Sequence, residues 1–133
     1  MTAPVIRVVA GLVVADDGRM LLVRKRGTNR FMQAGGKPEA GESASEALVR
    51  ELQEELAVAV APADLHDLGD FTTAAANEPG HALEARVFRL RLEPGDVAGP
   101  QAEIEEARWA TRAQAEALGD RLAPLARLLL AHA

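Results

Sequence analysis

Between Gly36 and Val58 the chain reads GKPEAGESASEALVRELQEELAV, and this stretch limits the fold more than any other. Ser43 and Glu46 match the S-x-x-E capping box that starts a helix, and strong helix formers follow from Ala44 to about Leu56. Ser45, Leu48, Val49, Leu52 and Leu56 recur at helical spacing and form a stripe that must dock on another layer. Glu51, Glu54 and Glu55 stand at i, i+3 and i+4 and therefore share a face beside that stripe. Like charges so placed destabilise a helix by roughly 0.2–0.5 kcal/mol per pair, which argues for a positive partner between them. Carboxylate oxygens suit hard cations, Mg²⁺ first and Mn²⁺ as the alternative. Just ahead, Ala34-Gly35-Gly36-Lys37 joins flexible backbone to a cation, the makings of a phosphate cradle.

A helix with one apolar stripe needs a sheet to cover, and the flanking sequence supplies strands. Val5 to Ala15 is rich in β-branched residues, Asp16-Asp17-Gly18 is hairpin-turn chemistry, and Arg19 to Arg26 returns. In the returning strand Leu22, Arg24 and Arg26 fall on one side and Leu21, Val23 and Lys25 on the other. Gly27-Thr28-Asn29-Arg30 is a loop, and Phe31-Met32-Gln33 is a short extended piece leading into the Gly pair. Pro62 stops any continuation after Val58. Further strands are expected near Leu68 to Thr73, from His81 to Leu92, and from Glu105 to Ala110 around Trp109. Asn77-Glu78-Pro79-Gly80 is a turn, and the segment Glu93 to Pro100 is a loop. Thr111 caps a helix from Arg112 to Leu118, and Leu122 to His132 forms the last helix, with Pro124 in its first turn. Strands and helices alternate irregularly, so a mixed sheet flanked by helices is expected.

Composition narrows the function classes. A chain of 133 residues is expected to form one domain. It has no cysteine, which removes thiolate metal sites and disulfides and points to the cytoplasm. Its apolar runs are too short to span a membrane, and Met1-Thr2-Ala3-Pro4 leads into the first strand without the regions of a signal peptide. A formal charge of −5 disfavours polymeric nucleic acid, and three Phe, one Trp and no Tyr offer little for base stacking along a strand. A small phosphorylated ligand, drawn in by local positive charge, fits better.

Written as G-x5-E-x7-R-E-U-x-E-E-x-G-U, with U aliphatic, the Nudix signature matches Gly36, Glu42, Arg50, Glu51, Leu52, Glu54, Glu55 and Val58 in register. Ala57 is the one mismatch. The chain thus resembles the Nudix (MutT-like) hydrolase family, and the strand, hairpin, Gly-Gly and helix come in that family's order. The resemblance implies an α/β/α sandwich with a mixed sheet over residues 1–133. It also implies an Mg²⁺-dependent hydrolase that cleaves the diphosphate linkage of a nucleoside diphosphate joined to a group X, such as a (d)NTP. On these positions, Glu51, Glu54 and Glu55 correspond to metal ligands, with the Gly36 carbonyl. Arg50 corresponds to the residue that orients the catalytic glutamates, Glu42 to a support of the loop–helix junction, and Lys37 with Gly35 to the phosphate cradle. Relatives often add an acid before the strand that ends in Trp; Glu103 is preferred as general base over Glu105 and Glu106. Dimerisation is common among such relatives.

Two departures carry consequences. Ala57 replaces a Gly that ends the helix in the left-handed conformation, costing on the order of 1 kcal/mol unless the chain leaves the helix by another route. Ala34 stands where many members have Pro. Arg24, Arg26 or Arg30 can fork onto a phosphate, with Arg24 preferred for its place near the Gly loop. Trp109 is expected in the core, His81 as a surface or packing residue, and Phe31 either in the core or as a wall for a base. A nucleotide sensor that binds without cleaving, or another chemistry on the same scaffold, is the rival to hydrolysis.

Overall fold

The computed structural model describes residues 4–133, so the reading of Met1-Thr2-Ala3 lies outside the described residues. Alternation along the first strand, β1 (Val5–Val14), sets the layers: Ala10, Leu12 and Val14 face one core cluster, Val9 and Val13 the other. Next come β2 (Met20–Lys25), β3 (Ala34–Gly36), β4 (His66–Ala74), β5 (Ala82–Arg91) and β6 (Ile104–Ala110). The sheet runs β4-β5-β1-β2-β6, with β3 also paired to β1. β5 lies parallel to β1, from Val5 opposite Ala82 to Val14 opposite Arg91, and the remaining pairs are antiparallel. The expected mixed sheet is therefore present.

The hairpin pairs only beside its turn, with Val14 opposite Met20. Beyond that point β2 diverges from β1, and residues 31–36 fill the wedge. Met32 exchanges two backbone hydrogen bonds of 2.8 Å with Val23, and β3 pairs antiparallel to β1 with Gly36 opposite Val9. The Gly pair, expected as a loop, is a short strand. The reason is steric: a Cβ on Gly35 would sit 2.1 Å from the Val9 carbonyl oxygen, so only glycine allows this approach.

Three helices cover the faces. α1 (Ala44–Leu56) lays Ala47, Leu48, Leu52 and Leu56 on the face that includes Val9, Val13, Leu21 and Val23. α2 (Arg112–Ala117) and α3 (Pro124–Leu129) cover the opposite face, where Leu125, Ala126 and Leu129 meet Leu12, Leu22 and Val87. The result is the expected α/β/α sandwich. Small Ala47 takes a core position, while Ser45 and Val49 are only half-buried, so the stripe is rotated slightly from its expected place. Trp109, expected in the core, is half-buried at the edge of the α1-side cluster. Phe31 is fully buried. The guanidinium carbons of Arg108 and Arg121 lie 4.5 and 5.2 Å from its ring centre, so core is the reading that stands. His81 is half-buried at the turn, its Nδ1 3.2 Å from the Pro79 carbonyl oxygen. The last helix is shorter than expected: Pro124 begins it, and Leu130–His132 tighten into a 3₁₀ turn.

Both halves of the α1 capping box are formed, with Glu46 N–H donating to Ser43 Oγ at 3.1 Å and Ser43 N–H to Glu46 Oε1 at 2.9 Å. At the other end Ala57 adopts φ 52° and ψ 41°, and its N–H donates to the Gln53 carbonyl at 3.0 Å. The helix leaves by the left-handed route of the signature glycine, not by another. Its Cβ is exposed and contributes no packing that would offset the strain. Ala57→Gly is therefore expected to raise stability by about 0.5–1 kcal/mol, the relief of strain exceeding the added chain entropy of the unfolded state. Urea denaturation measures this, and a loss of stability would contradict the strain.

Candidate active site

Arg50 fixes the start of the site. Its Nε donates to Glu42 Oε2 at 2.7 Å and its Nη2 to Glu42 Oε1 at 2.9 Å, a two-pronged pair. Its Nη1 reaches Glu51 Oε1 at 3.0 Å and Glu54 Oε2 at 3.3 Å, and Nη2 also donates to the Lys37 carbonyl at 3.2 Å. Glu42 in turn accepts the Glu39 N–H at 2.7 Å. One guanidinium thus ties the loop after β3 to α1 and fixes the directions of two glutamates. The Arg50 hydrogen bonds, and then the Glu39 N–H, hold the Glu42 carboxyl down at about 2. The same ion pairing, with Glu42 foremost, raises Arg50 above its already high value.

The three glutamates of α1 share a side of the helix but not an environment. Glu54 is exposed, Glu51 is half-buried, and Glu55 is 2% exposed. Glu55 Oε1 accepts the Gly35 N–H at 2.9 Å, so the buried carboxyl secures β3 to the helix. Burial pushes its pKa up to about 8 against the pull of that N–H. Burial likewise raises Glu51, partly offset by Arg50. The Glu51 carboxylate rests against Gly36 so closely that a Cβ there would be 2.5 Å from Oε1.

A cleft of about 450 Å³ opens where β2 and β1 diverge. Gly35, Gly36, Lys37, Arg50, Glu51, Glu54 and Glu103 all line it. Of the three downstream acids, Glu103 alone lines the cleft, with Lys25 Nζ 3.7 Å from its carboxylate. Glu105 pairs with Arg26 at 3.2 Å, and Glu106 with Arg108 at 2.8 Å and Arg24 at 3.4 Å. Glu55 stands behind the lining, against Gly35. Arg24, the preferred phosphate clamp, does not line the cleft: its Nη1 donates to the Thr28 carbonyl at 2.8 Å and so braces its own loop. Lys25 takes the place expected for Arg24. Strand alternation already separated the two, because Lys25 shares parity with Val23 on the α1 side. Nearness in sequence to the Gly loop was the weaker guide. The sequence reading also missed Gln33, which lines the cleft with a buried carboxamide.

The donors at the acidic end are oxygens, which suits a hard divalent cation. The close seat of Glu51 on Gly36 leaves the carboxylate beside backbone. Among the described residues no three acidic or imidazole side chains already close on one point, and the Arg50 guanidinium bridges Glu51 and Glu54.

The carboxyl groups set a pH profile for the metal-free protein. Glu55 is raised from 4.5 to about 8. Between those values the folded chain keeps a proton that the unfolded chain has released, so stability falls as pH rises through the window. Glu42, lowered to about 2, contributes stability that is present above 4.5 and lost as pH falls toward 2. In EDTA, the unfolding free energy is expected to decline by a few kcal/mol from about pH 5 to pH 8. Glu55→Gln, which keeps an acceptor for Gly35, is expected to remove most of that decline, leaving the part that the raised Glu51 contributes. A flat wild-type profile over this range would contradict the burial argument.

Comparison with known proteins agrees with this geometry. The NUDIX domain profile matches residues 5–132. Over 60 residues, 44% of this chain and 32% of the relative, the sequence is 47% identical to an RNA pyrophosphohydrolase of Halorhodospira halophila. Over 75 residues, 53% of this chain and 55% of the relative, it is 33% identical to an 8-oxo-dGTP diphosphatase of Haemophilus influenzae. The matches thus span about a third and about half of these two curated relatives. The solution structure of the E. coli ORF135 protein superposes with a TM-score of 0.66 at 29% identity, covering 97% of this chain and 88% of that one. With the profile matched from β1 through the turn after α3, and the glutamate helix seated against the Gly pair, the chain belongs to the NUDIX domain family.

Proposed function

We propose that this protein is a divalent-cation-dependent pyrophosphohydrolase, with Mg²⁺ as the natural ion and Mn²⁺ as a substitute. It cleaves the diphosphate linkage of a nucleoside diphosphate derivative, a (d)NTP or close relative, by attack of water at phosphorus. The observation that carries this reading is the convergence of Glu51, Glu54 and Glu103 with Lys25 and Lys37 on one cleft. The names of the two curated relatives, an RNA pyrophosphohydrolase and an 8-oxo-dGTP diphosphatase, support the same reaction class. Family membership supports a divalent ion.

Glu51, Glu54 and the Gly36 carbonyl would hold the cation, with Glu55 behind them. A bound cation supplies charge neutralisation of the diphosphate and a lowered pKa for a coordinated water. Arg50 orients Glu51 and Glu54 through the hydrogen bonds described above, and acts through them as a positioning residue. Lys25 and Lys37 offer ammonium groups to phosphate oxygens. Glu103, exposed in the cleft, takes the proton from the attacking water. Among the described residues no helix is long and apolar enough to cross a membrane, and the surface charge disfavours a polymeric ligand.

The test is a panel of dNTPs, nucleoside diphosphate sugars and dinucleoside polyphosphates, assayed with Mg²⁺ and with EDTA in ¹⁸O-labelled water. Label in a phosphate product, only with the cation, is the expected outcome. Intact ligand after tight binding would favour a sensor, and rearranged ligand without released phosphate would favour an isomerase. Glu54→Gln is expected to lower kcat by two to three orders of magnitude, about 3–4 kcal/mol of barrier. An unchanged rate would refute the assignment. Gly36→Ala should push the Glu51 carboxylate from its seat and raise the Mg²⁺ concentration needed for half-maximal rate, while circular dichroism reports an intact fold.

A further inference from the structure

The cleft has a second end, chemically unlike the first. Away from the carboxylates it is walled by Val8, Met32, Ala76, Leu83, Pro124 and Leu125, all apolar. Within this wall lies Gln33, 6% exposed, and among the described residues neither its Nε2 nor its Oε1 finds a hydrogen-bond partner. Its direction follows from alternation. Ala34 packs on the α1 side and Phe31 on the α2–α3 side. Gln33 shares parity with Phe31, so it points to the α2–α3 side, the apolar end.

An unpaired carboxamide in such surroundings is costly to a fold, because both a donor and an acceptor have left water without compensation. Leucine at this place would match the surrounding side chains in polarity and nearly in volume. A carboxamide offers one acceptor oxygen and a donor nitrogen side by side. Both are satisfied at once by a ligand edge that presents an adjacent donor and acceptor. Every nucleobase has such an edge, and amide rotation matches either order. The apolar walls suit the faces of a flat ring better than the hydroxyls of a sugar. Among the described residues no aromatic side chain lines the cleft, so ring stacking does not set the orientation of a base, and the burden falls on hydrogen bonding. Asn77 and Glu78 also line the cleft, but on an exposed turn where water competes.

We propose that Gln33 is a specificity-determining residue that reads the hydrogen-bonding edge of a nucleobase held in the apolar end of the cleft. The inference rests on the hydrolase reading above and adds to it the residue that would discriminate among nucleotides by the edge of the base. A site built to pair with polar groups rejects an analogue that leaves them unpaired.

The experiment compares wild type with Gln33→Leu on three substrates: the dNTP that wild type cleaves best, the same nucleotide with its edge blocked by a ring N-methyl group, and ribose 5-triphosphate. The expected result is a tenfold to hundredfold fall in kcat/KM for the unmodified dNTP, mostly in KM. The blocked and base-free substrates should change less than twofold. The ligand-free variant should melt at the same temperature or higher, since it loses a buried unpaired group. An equal fall on all three substrates, no fall on any, or a lowered melting temperature would each overturn the proposal and make Gln33 a structural residue. If wild type cleaves nothing, the hydrolase reading fails instead. Calorimetric binding of a non-hydrolysable α,β-methylene dNTP to the two proteins then decides Gln33 independently, by weaker binding to the variant or by equal binding.

Discussion

The site depends on the absence of two Cβ atoms. At Gly35 a side chain would collide with the Val9 backbone, and at Gly36 it would collide with the Glu51 carboxylate. Because both are missing, β3 can enter the wedge between β1 and β2 and lie flush against α1. The wedge keeps the two hairpin strands apart, and their separation forms the cleft. Glu55 then anchors the strand to the helix through the Gly35 N–H. Sheet topology, helix docking and site geometry meet in three residues of backbone.

On this frame, identical side chains acquire different properties. Glu42 is held ionised by a two-pronged guanidinium and an N–H, Glu51 is raised by partial burial, and Glu55 is raised furthest because its one hydrogen bond does not repay desolvation. Arg50 serves three of the helix-side acids with one group, which explains why arginine stands there: lysine has the charge but not the planar fork. The junction with Glu42 is the strongest of these pairs, with both of its hydrogen bonds under 3 Å. Glu54, exposed and at 3.3 Å, is the most easily released.

The parts legible in the sequence were those governed by local rules. α1 was bounded correctly by its capping box and its apolar period, and β1, β5 and β6 by β-branched alternation and turn residues. The signature spacing placed Glu51, Glu54, Gly36 and Arg50 together because a helix and the strand before it fix those distances. Tertiary packing decided the rest. That the Gly pair is a strand depends on β1 passing behind it, which glycine composition alone does not announce. β4 extends over a longer span than its weak pattern implied because β5 supplies a partner from His66 to Ala74, across a bulge near Gly69. Phe31 is enclosed by arginines from β6 and the turn before α3, far away in sequence. Lys25 lines the cleft and Arg24 does not, because strand parity outweighs proximity along the chain.

Charge in the cleft bears on how any polyphosphate could enter. Lys25, Lys37 and Arg50 line it together with Glu39, Glu51, Glu54, Glu78 and Glu103, so two negative charges are in excess when all are ionised. Arg50 is already engaged by Glu42, Glu51 and Glu54, and Lys25 stands 3.7 Å from the Glu103 carboxylate, which leaves Lys37 and the loosely paired Lys25 as the cations able to turn to a ligand. Two ammonium groups facing several carboxylates make a poor receptor for a ligand that carries three or four negative charges, since like charges in a partly dry cleft repel more than in water. One divalent ion cancels the excess, and a second reverses its sign. For the proposed polyphosphate substrate, neutralisation from outside would serve binding itself, before any bond is broken, and the oxygen donors that a cation would use stand at the acidic end of the cleft.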